Sequence, residues 1–247
     1  MRRYWTSAPI LAMAALIVAV YVARAPVLAQ EEEDIELGPV FLLSLGGTLY
    51  DDVWAVLAEE PPQPRNPRVG LDLPIDDRAS WRCVTCHGWD YAGARIGNIR
   101  YPELRSLEGM DQEWIAERIR DPAHPYPGDQ LPEMAVTLLA ALISLGQYDF
   151  SSFIDAAGLA TGESEIGRDI FEGACTNCHQ LDGRRFLRGE PGDRSSLGWI
   201  ARNRPAQALH KILNGVPATE MLALRFLTPE QIADLVAYLQ TLDPDEQ

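Results

Sequence analysis

Lysine occurs once in this 247-residue chain, at Lys211, and histidine only four times. Positive charge is therefore almost all arginine, and Lys+Arg 21 against Asp+Glu 36 leaves a formal charge of −15. Phosphate binding wants a basic face, so this balance argues against nucleic acid as a partner and favours proteins with basic docking patches. Cysteine is as scarce. Its four copies all fall in "CVTCH" (Cys83 to His87) and "CTNCH" (Cys175 to His179), which leaves none for a separate disulfide framework. A zinc ribbon would set its two pairs roughly 15–20 residues apart, far closer than Cys86 and Cys175, and no βαβ pattern supports a thioredoxin-like redox motif. With 47% hydrophobic residues the chain can build a core, so global disorder is excluded too.

What is present is C-x-x-C-H, twice. This is the attachment signature of c-type haem: two thiols form thioethers to the porphyrin, and the adjacent histidine becomes an iron ligand. One helical turn sets both sulfurs at one porphyrin edge with the imidazole aimed at the metal. Cys83, Cys86, Cys175 and Cys178 are thus expected to hold two covalent haem c groups, with His87 and His179 as proximal ligands.

The first thirty residues have the form of a targeting segment. Arg2 and Arg3 precede a 16-residue apolar run, Ala8 to Ala23, and "VLAQ" places small residues for cleavage after Ala29. Sixteen helical residues span about 24 Å, short of a ~30 Å hydrocarbon core. Residues 1–29 read as a signal peptide, or as an uncleaved N-terminal anchor. Their three arginines carry no acidic counterpart, so their removal leaves −18.

An internal repeat organises the rest. "TPEQIADLVAYLQTL" (Thr228 to Leu242) predicts a helix with a threonine N-cap, proline in its first turn and an apolar stripe of Ile232, Leu235, Val236, Leu239 and Leu242. Ninety-seven residues earlier, "LPEMAVTLLAALISL" repeats the Pro-Glu start and puts Ala135, Leu138, Leu139, Leu142 and Leu145 at the stripe positions. At the same offset Met221 falls on His124.

The second repeat, with "GRDIFEGACTNCHQLDG", "ILNGVPATEM" and the terminal helix, resembles a class I cytochrome c domain from about Glu163 to Leu242. The resemblance implies His179 as proximal and Met221 as distal ligand, and Pro191 as the residue whose carbonyl orients the proximal imidazole. It also implies that first and last helices cross with a small residue against a large one: Gly167 and Phe171 against Tyr238, and, with sides exchanged, Tyr50 and Trp54 against Ala141. "WRCVTCHGWDYAG" resembles the haem site of bacterial dihaem cytochromes, with Trp89 and Tyr91 expected on the porphyrin. Arg184, Arg185, Arg188 and Arg194 are candidate propionate partners or a solvated loop. His210, beside an apolar helix face, is expected to pack rather than to ligate.

The fold expected is all-α, with two tandem cytochrome c-like domains. Its parts are an N-terminal extension (30–45), domain 1 (46–148), a linker (149–162) and domain 2 (163–247). Gly46 to Leu57 is expected to be the first helix of domain 1, followed by an extended surface loop, Ala58 to Ser80, with five prolines. Three side chains compete for the distal position of the first haem: His124, Met110 and Met134. His124 is favoured, because it lies 37 residues beyond His87, against 42 between His179 and Met221, and Pro122 and Pro125 stiffen its loop. The expected function is periplasmic electron transfer between redox proteins, from a lower-potential bis-histidine haem to a His/Met haem. An electron-transfer subunit of a membrane-bound oxidase or dehydrogenase, and a dihaem peroxidase, are the alternatives.

Overall fold

The computed structural model describes residues 38–71, 73–126, 130–187 and 195–244. The expected signal segment lies outside them. Residues 37–247 form one compact unit, and it is mostly helical. The first helix, α1 (Pro39–Leu57), begins seven residues earlier than the glycine-rich start predicts. Pro39 at its first turn presets the backbone angle where no N–H bond is needed. The helix kinks at Asp52 (φ −155°), whose Oδ1 accepts from the Ala55 N–H at 3.0 Å and so re-caps the last turn. By length and composition α1 passes the test for a membrane span, yet Leu49, Tyr50, Val53 and Trp54 are core residues.

Helix α2 (Cys83–His87) is a single turn. It is followed by a two-residue hairpin, β1 (Arg95–Ile96) with β2 (Ile99–Arg100), and by α3 (Gln112–Ile119), α4 (Glu133–Leu145) and α5 (Ser164–Ala174). The second half adds α6 (Thr176–His179), α7 (Leu197–Asn203), α8 (Pro205–Asn214) and α9 (Pro229–Leu239). Asp111 caps α3 by accepting from the Trp114 N–H at 2.9 Å. Thr228 and Gln231 close a full capping box on α9, at 3.3 and 2.9 Å. The repeat is looser at α4, where Pro132 is itself the N-cap and Leu131 has no oxygen to offer.

Two helix pairs carry the core: α1 against α4, and α5 against α9. Both repeats bury most of the predicted stripe, including Leu138, Leu139 and Leu142 in one and Ile232, Leu235 and Val236 in the other. Leu145 departs from it at 62% exposed, because α4 ends there. At both crossings the helix backbones approach closely. Each first helix brings a glycine to the contact: a Cβ at Gly46 would collide with the Leu138 carbonyl, and one at Gly167 with the Asp234 carbonyl. Tyr50 donates its hydroxyl to the Gly88 carbonyl at 2.8 Å.

The halves are joined by more than chain continuity. On α8, His210 Nε2 donates to the Gly47 carbonyl at 2.9 Å, and Lys211 Nζ lies 2.6 Å from Asp51 Oδ2. Residues 149–162 are fastened at both ends: Phe150 stacks on Tyr91, and Gln240 bonds both the Ala160 N–H and the Gly158 carbonyl at 2.9 Å.

Candidate haem sites

The first site is built on α2. Arg82, just before it, donates to the Asp51 backbone carbonyl at 2.6 Å and pairs with the Asp51 carboxylate. Thr85 within it donates to the Ala79 carbonyl at 2.6 Å. Gly88, at φ 77°, then reverses the chain, a backbone state that glycine adopts without a Cβ penalty. Cys83, Cys86 and His87 line a cavity of about 440 Å³ whose wall is largely apolar, with Trp81, Leu104, Ile115 and Leu139 among its residues.

His124 lines the same cavity. Its ring centroid is 6.0 Å from that of His87, with the planes at 40°. Each ring is held by a backbone carbonyl: His87 Nδ1 lies 2.9 Å from the Pro102 oxygen and His124 Nδ1 lies 2.9 Å from the Arg118 oxygen. A carbonyl only accepts, so Nδ1 of each ring carries the proton and the Nε2 lone pair of each is left for a ligand. Two Nε2 atoms on opposite sides of one metal ion, at bonds of ~2 Å, place the ring centres about 6 Å apart. Burial, and secondarily the nearby His124, lower the His87 pKa against the opposing pull of the Pro102 carbonyl, which favours the neutral, ligating imidazole. Burial pushes the Cys83 thiol up to about 12 and the Cys86 thiol up to about 11, the reverse of the lowered pKa a redox C-x-x-C pair depends on.

Several expectations change here. Trp89 and Tyr91 do not line the cavity. The turn at Gly88 sends them toward the other half, where Trp89 meets His210 edge-on at 5.2 Å and Tyr91 packs on Tyr50 and Phe150. Met134 faces away from the core at 69% exposed, so core packing does not explain it, and Met110 is 42% exposed; neither lines the cavity. The proline-rich segment is more than a surface loop. Val69 is buried, Asn66, Arg68 and Ser80 line the cavity, and the Ser80 hydroxyl accepts from the Asn66 N–H at 2.9 Å. Pro102 and the Arg118 carbonyl were missed, since a backbone carbonyl leaves no mark in side-chain chemistry. A proline recurring 15 residues after His87 and 12 after His179 was the available signal for the first.

At the second site Cys175 caps α5 and is half-buried, while Cys178 is exposed. His179 ends α6 with its ring edge-on to Phe186 at 5.5 Å, and its Nδ1 is buried with no hydrogen-bond partner among the described residues. Pro191, Arg188 and Arg194 lie outside those residues. Arg184 is paired with Asp243 at 3.0 Å, and Arg185 donates to the Asn177 carbonyl at 3.2 Å. Met221 is half-buried in the loop between α8 and α9. Its N–H donates to Thr219 Oγ1 at 3.3 Å, and its carbonyl approaches Gly215 so closely that a Cβ there would lie 2.6 Å away.

His210 is a core residue. Burial lowers its pKa to about 4, with the Gly47 carbonyl and Asp51 opposing and Lys211 and Arg225 adding. A histidine depressed from 6.5 contributes stability fully present above pH 6.5 and lost as pH falls through 6.5 toward 4. Between pH 7 and pH 4.5 this group should cost ~2 kcal/mol. Denaturant titrations at the two pH values should show a loss of that size, reduced in His210→Gln.

Residues 164–243 match the family model described as Cytochrome c. No curated protein matches the chain. The matched stretch contains Cys175, Cys178, His179 and Met221, and a cytochrome c domain implies covalently bound haem c and haem-based electron transfer.

Proposed function

We propose that this chain, with a cytochrome c domain at residues 164–243, is a dihaem c-type cytochrome with a second, divergent haem site in its first half. The observation that carries the reading is the facing of His87 and His124, 6.0 Å apart, across a cavity that Cys83 and Cys86 also line. Haem bound at such sites supplies a one-electron iron couple.

The chain's own residues do the rest. Cys83 and Cys86 tether one group and Cys175 and Cys178 the other. His87 and His124 would hold the first iron from both sides, with the Pro102 and Arg118 carbonyls keeping each imidazole in the ligating tautomer. His179 and Met221 would hold the second. Trp81, Ile115 and Leu139 give the first site a largely apolar wall. Methionine raises potential relative to histidine, so the first site would be the lower-potential one.

Were His87 and His124 both to hold the group, electron transfer would be favoured over substrate chemistry, and the peroxidase alternative would lack an open position. The acidic chain fits a redox protein with a basic docking patch as its partner, met in the periplasm after export of residues 30–247. The membrane-complex alternative depends on the N-terminal segment being retained. The count of haems tests the central claim. Intact mass should exceed that of the processed polypeptide by about 1.2 kDa, and Cys83→Ala and Cys175→Ala should each weaken one attachment. Release of haem from wild-type protein by acid-organic extraction would overturn it.

A further inference from the structure

Arg225 is a buried cation. It is 9% exposed, and among the described residues no carboxylate lies within ion-pairing distance of it. Its partners are neutral: Nε donates to Asn214 Oδ1 at 2.9 Å and Nη2 to the Gly146 carbonyl at 3.0 Å, while the guanidinium lies 5.3 Å from the centre of the Tyr148 ring. Its ionisable neighbours are the phenols of Tyr91 and Tyr148, and burial pushes Tyr91 up to about 12, so it offers no negative charge near neutrality. The buried acid Asp51 is engaged by Arg82 and Lys211. Burying a charge unpaired is costly, yet an arginine stays protonated where a lysine would neutralise.

Its position gives that cost a use. Arg225 lies four positions after Met221, and Tyr91, its neighbour, lies four positions after His87. Four residues reach at most ~14 Å. We propose that Arg225 is an uncompensated positive charge set within reach of both haem sites, and that it raises the reduction potentials of both. The inference rests on the dihaem reading above. A reduced site carries one positive charge fewer than an oxidised one, so a fixed cation favours reduction. Through an effective dielectric of ~20, a unit charge at such a range shifts a one-electron equilibrium by roughly tenfold.

The test is the midpoint potential of each haem, read by spectroelectrochemistry of the holoprotein, with haem content measured alongside. In Arg225→Gln the oxidised-to-reduced ratio at fixed potential should rise about tenfold, a downward shift of about 59 mV for one electron. Asn214→Asp, which sets a carboxylate against the guanidinium without removing it, should shift both midpoints the same way. The proposal is overturned if the neutral and paired variants keep wild-type potentials. Should Arg225→Gln not fold, Asn214→Asp decides alone. A wild type holding one haem would defeat the dihaem reading, while the shift at that haem would still judge Arg225.

Discussion

His124→Ala should open the first haem to carbon monoxide: the reduced variant is expected to bind one equivalent, and the reduced wild type none at that site. The reason lies in how firmly the imidazole is placed. Its Nδ1 is tied to the Arg118 carbonyl at 2.9 Å, and its loop is stiffened by Pro122 and Pro125, so little entropy remains to be lost on ligation. No substitute is at hand, since Met110 and Met134 both lie outside the cavity. His124→Met should instead keep six coordination and raise the potential of that haem, because methionine favours the reduced iron more than histidine does. Met134→Leu should change neither spectrum. Two methionine–iron charge-transfer bands in the oxidised wild type, one per haem, would show that His124 is not the ligand.

Asp51→Ala should destabilise the body of the protein strongly. The carboxylate is 1% exposed, with Arg82 paired to Oδ1 and Lys211 Nζ 2.6 Å from Oδ2. Both cations also lie over Trp89, at 5.6 and 5.1 Å from its ring centre. Removing the acid takes a shared buried carboxylate from two partly buried cations, a change of the kind that costs about 3–5 kcal/mol. Lys211→Met should cost less, since Arg82 still satisfies Asp51. The same carboxylate joins α1 to α8 and, through Arg82, braces the residue before Cys83, so Asp51→Ala should also loosen the first haem site. Urea unfolding of the holoproteins reads the first effect. A loss below ~1 kcal/mol would mean that the cluster is solvated in solution.

The parts that were legible in the amino-acid order are those whose chemistry is local. Two C-x-x-C-H turns, the Thr228 cap with Gln231, and a 3.6-residue apolar period are each complete within fifteen residues, so no distant contact was needed to specify them. The offset of 97 residues even set His124 against Met221 before any coordinates. Local order could not decide which way a side chain leaves a turn. Gly88, by taking φ 77°, sent Trp89 and Tyr91 into the contact between the halves instead of the haem cavity. Nor could it decide which backbone carbonyl would meet a ring nitrogen, as Pro102 meets His87, because every residue carries the same carbonyl. The proline-rich segment looked like pure loop because its composition forbids regular structure, but composition says nothing of where a loop lies, and here it closes a wall of the cavity. The single lysine and the buried Arg225 are the sharpest case: their meaning rests on partners about 160 and 80 residues away, brought close only by tertiary packing.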